Sequence, residues 1–549
     1  MRHASPTAWY AACLLSVAAV GCHQVPSPPP ASSAIPAPAD AALDLNELDI
    51  QTLEDRMQTG RLTSRRITQW YLDRIAAVDD AGPTLNAVIA INPDALAIAD
   101  ELDAERRAGK VRGPLHGIPV LLKDNIDTGD RQRTTAGSLA LSDVPAPRDA
   151  EIVRRLRAAG AVILGKTNLS EWANFRSSRS SSGWSAVGGQ TRNPYALDRT
   201  PCGSSSGSGV AVSANLAVVA VGTETDGSVV CPASVNGIVG FKPTLGLVSR
   251  RGIVPIAHSQ DTAGPMARTV ADAAILLEVM AGTDAGDPAT DEADARRAGF
   301  RAALEGASLS GRRIGIVRGI GGADDRGRPI LESIITTLRA QGAEVVDPVN
   351  LRPDSEYAKD EQTALLYEFK ADLGTYLNGR NIASIATLAD VIAFNEREAK
   401  RELRWFGQEI MLEAQGKGGL DALEYRAAVK RAKRMSGPEG IDAALKRHKL
   451  DALVALTTSP AWSIDLINGD NAASWFGSST PAAVAGYPSV TVPAGFVHGL
   501  PVGVSFFGGA WKDAQILALA HAFEQAHAAR RPPTYLSTIS DGRDGPMHP

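Results

Sequence analysis

The 549-residue chain has no surplus of positive charge. Its 56 Lys and Arg stand against 61 Asp and Glu, a formal net charge of −5 at pH 7. No bulk positive field draws it to nucleic acid, and no nucleic-acid partner is expected. The one compact basic run, Lys430-Arg431-Ala432-Lys433-Arg434, follows Asp421 and Glu424 and reads as a solvated helix face. Cysteine is scarce, four residues in all, and no Cys/His spacing suits a metal. Neither a metal nor a cofactor is therefore expected. No internal repeat stands out. Beyond residue 20 no uninterrupted apolar run is long enough to cross a bilayer, so the body of the chain is expected to be soluble.

What is present begins with a leader. Arg2 and His3 precede an apolar stretch, Ala8 to Val20, too short to span a membrane but suited to a signal-peptide core. Ala19-Val20-Gly21-Cys22 resembles a lipobox, which makes Cys22 a candidate lipid anchor; ordinary cleavage nearby, with Cys22 incidental, is the alternative. Residues 1–22 read as signal peptide, 23–42 as a Pro/Ala-rich tether and 43–540 as the folded domain. The expected product is exported, periplasmic or held at a membrane as a lipoprotein, and monomeric. In that setting Cys202 and Cys231 form either a bridge or two buried thiols, and the residues leave both open.

Along the body, helical and extended patterns alternate. Glu47–Thr59 and a segment capped by Thr63 or Ser64 carry helical periodicity; Ile67, Tyr71, Ile75 and Val78 form one stripe. Ala87–Ile91, Ile118–Leu122 and Ala161–Leu164 read as strands, with helices over Pro93–Arg107, Ala150–Ala159 and Gly207–Leu216 between or after them. Ala217–Val221, Arg313–Val317, Ala343–Val346, Leu453–Ala455, Val490–Pro493 and Val502–Phe507 are further strands, and Ile330–Ala340 a further helix. Asp354 to Ala444 looks helical and more charged. The alternation predicts an α/β architecture with a largely buried sheet and a helical insertion.

Three stretches join reactive side chains to glycine-rich backbone. Leu115-His-Gly-Ile-Pro-Val-Leu-Leu-Lys123-Asp-Asn125 ends an apolar strand on a lysine. A buried ammonium is costly, so such a lysine sheds its proton readily and can serve as a base; a surface lysine just past the strand end fits the pattern equally well. Pro201-Cys-Gly-Ser204-Ser-Ser-Gly-Ser-Gly209 opens an apolar helix. Gly222-Thr-Glu-Thr-Asp-Gly-Ser228 follows a strand, and its bend can aim several backbone N–H groups at one point beside a hydroxyl.

Taken together, these stretches resemble the amidase signature family. Counterparts of its Gly-Ile-Pro…Lys-Asp, serine/glycine run and Gly-Thr-Asp-x-Gly-Gly-Ser motifs occur here in order, the last as Gly222-Thr-Glu-Thr-Asp-Gly-Ser228, followed by Gly240-Phe-Lys-Pro-Thr, Asp261-Thr-Ala-Gly-Pro265, Ala485-Gly-Tyr-Pro-Ser489 and Gly499-Leu-Pro-Val-Gly503. Within the family the likeness is greatest to the peptide amidases, through Gly165-Lys-Thr-Asn-Leu-Ser-Glu-Trp-Ala-Asn-Phe and Gly189-Gln-Thr-Arg-Asn-Pro-Tyr. The resemblance implies an α/β/α sandwich with a large mixed central sheet. It implies Ser228 as nucleophile, Ser204 as bridging serine behind a cis peptide bond, and Lys123 as general base. The backbone amides of Thr225, Asp226, Gly227 and Ser228 become the oxyanion hole, and ammonia is released from a carboxamide, foremost the C-terminal amide of a peptide. Small non-peptide amides (acyl, aryl or aliphatic) are the alternative substrates. Asn125, Glu171, Ser205 and Tyr367 are candidate substrate contacts, with Asp261 beside them; each serves equally well as structural support. Asp226, Val230 and Cys202 depart from the wider family pattern, and the first and last match the peptide amidases.

Two rivals share parts of the pattern. Gly203-Ser-Ser205-Ser-Gly207 satisfies the nucleophile elbow of α/β-hydrolases, but that elbow follows a buried strand, and the preceding Asn193-Pro-Tyr-Ala-Leu-Asp-Arg-Thr-Pro is a poor one. An amidotransferase of the A type carries the same signature; the leader argues against that cytosolic role. A non-catalytic surface protein would have no need of Lys123, Ser204 and Ser228 together.

Overall fold

The computed structural model describes residues 43–297, 299–319, 325–471 and 477–539. The leader, the tether and Cys22 lie outside them. The chain divides into Met1–Asp44 and Leu45–Pro549, and every element below belongs to the second unit.

Among the described residues, thirteen strands occur in chain order: β1 Val88–Ile91, β2 Pro119–Lys123, β3 Val162–Thr167, β4 Trp184–Ser185, β5 Gly189–Gln190, β6 Val219–Glu224, β7 Val239–Lys242, β8 Thr262–Ala267, β9 Arg313–Ile316, β10 Glu344–Val346, β11 Ala452–Leu456, β12 Ser489–Val497 and β13 Leu500–Phe507. Apart from the small β4–β5 ribbon, they form one 11-stranded sheet in the order β1-β3-β2-β6-β8-β7-β12-β13-β11-β9-β10. Its core mixes directions, β3-β2-β6 running parallel and β6-β8-β7-β12-β13-β11 antiparallel. The expected mixed sheet is thus present. Strands β2, β3, β6, β11 and β13 are buried along their whole length, which is why they read as apolar runs rather than alternating ones.

Helices cover the sheet. Ala95–Arg107 packs on β3, Ser206–Ser213 on β2, β3, β6 and β8, and Val270–Met280 on β6 to β8; Val230–Val235 and Asp513–His527 pack on β12 and β13. Local chemistry sets the first boundaries: Asp49 caps Ile50–Gln58 by accepting from Thr52 N at 2.7 Å, and Thr63 caps Ser64–Arg74 by accepting from Arg66 N at 3.1 Å. The apolar stripe of the second helix then continues through a π-helical stretch, Ile75–Ala81.

Between β10 and β11 lies the helical insertion, with Ala358–Arg380, Leu388–Arg397, Glu409–Gln415 and Leu423–Ser436 as its principal members. It is not a detached layer. Leu366, Phe369, Leu373, Leu377 and Val391 form one buried cluster with Leu141, Trp172, Phe175 and Ile256, which belong to the segments that connect strands of the sheet. Two central strands escaped the sequence reading. β7 carries Gly240 and Lys242, and β8 carries Gly264 and Pro265, residue types that rarely signal a strand.

Candidate active site

Lys123 is the last residue of β2, and its side chain is fully buried. Its Nζ lies 2.8 Å from Ser204 Oγ, 2.9 Å from Thr223 Oγ1 and 3.2 Å from Thr223 O. Among the described residues no carboxylate comes within ion-pairing distance of it, whereas the equally buried Lys166 has Asp124 at 3.7 Å. Burial therefore dominates: it pulls the Lys123 ammonium from its ordinary 10.5 down to about 7, against the opposing charges of Asp261 and Glu224. At neutral pH a large fraction of this amine is uncharged.

Ser204 follows a cis peptide bond from Gly203. A side chain at position 203 has no room, since a Cβ there would fall 2.2 Å from Ser170 Oγ. The Ser204 carbonyl accepts from Ser170 N at 3.1 Å, which leaves its hydroxyl facing Lys123.

Ser228 sits in the turn that joins β6 to the helix Val230–Val235. Glu224, at the end of β6, accepts from Val229 N at 2.8 Å and Val230 N at 3.0 Å and so closes the turn. Gly227 supplies the left-handed backbone the bend requires, with φ at 76°. Ser205 N donates to Ser228 O at 3.1 Å and holds the two serine segments together. Among the described residues, no hydrogen bond joins the hydroxyls of Ser204 and Ser228.

A cavity of about 350 Å³ opens over this turn, lined by Gly203, Thr225, Asp226, Gly227 and Ser228. Ser228 is 8% exposed there while Ser204 and Lys123 are at 0%, so the cavity reaches one hydroxyl and the amine lies behind the other. The amides of Thr225, Asp226, Gly227 and Ser228 donate to no acceptor among the described residues, leaving four N–H groups on one short turn for a ligand. The rest of the wall is largely apolar, including Phe175, Val230, Ile256, Leu365 and Trp462. Its only charged side chains among the described residues are Asp226 and Asp470, and burial pushes both carboxyls above their ordinary range.

Cys202 and Cys231 are bonded to each other, with Cα atoms 6.0 Å apart, and both line the cavity. The bridge is the alternative the structure takes. It ties the residue two before Ser204 to the residue three after Ser228.

The candidate substrate contacts fare unevenly. Asn125 Nδ2 donates to Thr223 Oγ1 at 3.0 Å and lines a second cavity of about 330 Å³, which also reaches Thr223, Thr225 and Asp261. Ser205 lines neither cavity; its hydroxyl donates to Thr223 O at 3.0 Å and accepts from Thr223 N at 3.1 Å, stapling two backbones together. Glu171 lies buried 2.9 Å from Arg176, whose guanidinium stacks on Phe406. Burial holds its carboxyl well above the ordinary range, with Arg176 opposing and the neighbouring Glu402 reinforcing. Tyr367 stacks on Tyr425 and donates to Glu424 at 3.0 Å, again away from both cavities. Asp261 accepts from Thr225 Oγ1 at 2.6 Å and from the amides of Ile256 and Ala257, and burial raises it to about 6. Sequence reasoning missed Thr223. The alternation of β6, which puts residues 221, 223 and 225 on one side, is the signal that locates it.

Ser205 is also no elbow, because among the described residues no strand lies between β5 and the helix Ser206–Ser213.

A sequence model of the family described as Amidase matches residues 66–517. Among solved structures, the native peptide amidase of Stenotrophomonas maltophilia is 55% identical, with a TM-score of 0.86 over 89% of this chain and 99% of its own. A probable amidase of Arabidopsis thaliana is 41% identical over 508 residues, 90% of this chain and 93% of the relative. The A-type component of the glutamyl-tRNA(Gln) amidotransferase from Symbiobacterium thermophilum is 38% identical over 484 residues, covering 86% and 96% respectively.

Proposed function

The chain belongs to the amidase family and is an amide-hydrolysing enzyme, and from that premise we propose that it removes ammonia from the C-terminal carboxamides of peptides through an ester on Ser228. The observation that carries the mechanism is the buried Lys123 amine, lacking a carboxylate partner and 2.8 Å from the Ser204 hydroxyl.

An uncharged amine has two N–H bonds and one lone pair. Thr223 O can only accept, and with Thr223 Oγ1 it takes the two hydrogens; the lone pair then faces Ser204. Ser204 passes its proton to Lys123 and takes one from Ser228, whose oxygen attacks the carboxamide carbon. The two hydroxyls are unbonded in the resting chain. A rotation of the Ser228 side chain closes the relay once substrate is bound, as is common for catalytic contacts that tighten only in the complex. Negative charge on the former carbonyl oxygen meets the amides of Asp226, Gly227 and Ser228, each such donor contributing ~3 kcal/mol to the transition state. Lys123 returns its proton through Ser204 to the departing nitrogen, which leaves as ammonia. Water repeats the sequence on the ester and frees the acid.

The peptide assignment is supported by the likeness to the Stenotrophomonas peptide amidase and by the wall of the cavity. No described cation lines the cavity over Ser228, so a neutral amide terminus suits it better than a free carboxylate. Ammonia release from N-acetylated peptide amides, amino-acid amides and simple acyl or aryl amides tests it. Turnover confined to the non-peptide amides would overturn the substrate assignment and leave the mechanism standing; stimulation by charged tRNA would favour a transferase instead. Export through residues 1–22, with Cys22 as the acylated residue, belongs to the same proposal. It predicts membrane-associated protein that Cys22→Ala releases.

A further inference from the structure

The oxyanion turn depends on where its peptide planes point, and three of its carbonyls are anchored. Ser228 O accepts from Ser205 N at 3.1 Å, Gly227 O from Cys231 N at 2.8 Å, and Thr225 O from Gln260 Nε2 at 3.2 Å. The bonds in this turn are trans, and in a trans peptide the carbonyl and the following N–H point in opposite directions. Fixing each carbonyl therefore aims the next amide. The Gly227 anchor is the opening turn of the following helix, so the Ser228 N–H is oriented by local backbone. The Ser228 anchor aims the Val229 N–H at Glu224, away from the cavity. The Asp226 N–H has no backbone support of this kind: the acceptor that sets its plane is held by one side chain, Gln260, from the loop before β8.

We propose that Gln260 is a positioning residue that aims the Asp226 amide at the oxyanion, and that Glu361 of the helical insertion holds Gln260 in place. The inference rests on the reading of Ser228 as nucleophile. Gln260 is 3% exposed, and its second N–H donates to Glu361 Oε1 at 3.0 Å, near the start of the helix Ala358–Arg380. The Thr225 carbonyl can only accept, so the nitrogen of the Gln260 amide must face it whether or not Glu361 is protonated. The adjacent Asp261 takes the Thr225 hydroxyl at 2.6 Å and pins the same residue from its side chain. Thr225 is thus held from both ends by consecutive residues, and the insertion gains a mechanical connection to the reacting centre.

The test uses Gln260→Met, which keeps the length and loses the donor, and Gln260→Leu, which is near in volume and loses it too. Steady-state constants are measured on a peptide amide, with the affinity for an N-acetyl dipeptide aldehyde, whose adduct with a serine carries an oxyanion. Removing an oxyanion donor outright costs about 10²–10³ in kcat, so misaiming one is expected to lower kcat by about tenfold or more in both variants. Aldehyde affinity should fall by the same factor, KM should stay near its original value, and the melting temperature should move by only a few degrees. A residue serving packing alone would not move aldehyde affinity and kcat together. Wild-type kcat and aldehyde affinity in either variant overturn the proposal, as does a rise in KM with kcat unchanged. If Gln260→Met fails to fold, Gln260→Leu decides alone. Ser228→Ala separates the two levels: residual full activity there defeats the nucleophile assignment, whereas an inactive Ser228→Ala beside fully active Gln260 variants defeats this inference only.

Discussion

Replacing Lys123 with methionine separates its chemical role from its cost to the fold. Methionine is apolar and near lysine in length, so it fills the space between β2, Ser204 and Thr223 without a charge. Native Lys123 titrates near 7, and its unfolded counterpart near 10.5. Between those values the unfolded chain holds a proton that the native chain has released, so wild-type stability rises with pH across this window at about 1.4 kcal/mol per unit. At pH 7 the desolvated amine costs the native state roughly 4 kcal/mol. The hydrogen bonds to Ser204 Oγ, Thr223 O and Thr223 Oγ1 offset ~1 kcal/mol each. The variant should therefore equal or exceed wild type in stability at pH 7 while losing about 10²–10⁴ in turnover. Urea unfolding of both proteins between pH 7 and 9.5, beside ammonia release, reads both effects. The stability gap must shift against the variant as pH rises. A gap that stays constant across that range, or a variant that keeps its turnover, refutes the uncharged buried base.

Wild-type kcat/KM should fall about tenfold per pH unit below 7 as the amine becomes charged, and a pH–rate profile flat to pH 5 contradicts this. Ser228→Ala should abolish labelling by a serine-directed fluorophosphonate, whereas Ser204→Ala should keep a nucleophile and lose about 10²–10⁴ in rate; mass spectrometry of the labelled protein distinguishes the two. Reducing the Cys202–Cys231 bridge with a dithiol opens a loop of 29 residues and should cost roughly 3–4 kcal/mol, together with activity, because the bridge joins both serine segments. Two titratable thiols in a fully active protein would rule that out. Gly203→Ala should inactivate, since its methyl group meets Ser170 Oγ, and an active variant would show that the Ser204 segment can shift.

The parts of the molecule legible in its sequence are those where one physical pattern dominates. The apolar run Ile118–Leu122 and the lysine after it located β2 and its buried terminal lysine within a residue, because a fully buried strand shows its burial in composition. The insertion was visible as a long charged helical stretch. β7 and β8 were not, since Gly240, Lys242, Gly264 and Pro265 hide strand character that tertiary contact enforces. Within the site, motifs marked which segments meet but not which way each side chain faces. Ser205 follows Ser204 in sequence and Glu171 lies in a family-like stretch, yet the first staples two backbones and the second pairs with a buried Arg176. Thr223 and Gln260 touch the reacting apparatus through neutral hydrogen bonds that no reactive residue type advertises.

Lys123 is rooted in a strand with neighbours on both flanks, β3 and β6. Much of the cavity wall comes from segments away from that strand, near residues 173–175, 365, 457–462 and 477–479. Those segments can exchange side chains without disturbing the amine, so a new preference for one amide over another can be acquired by altering them while the chemistry stays anchored to the sheet.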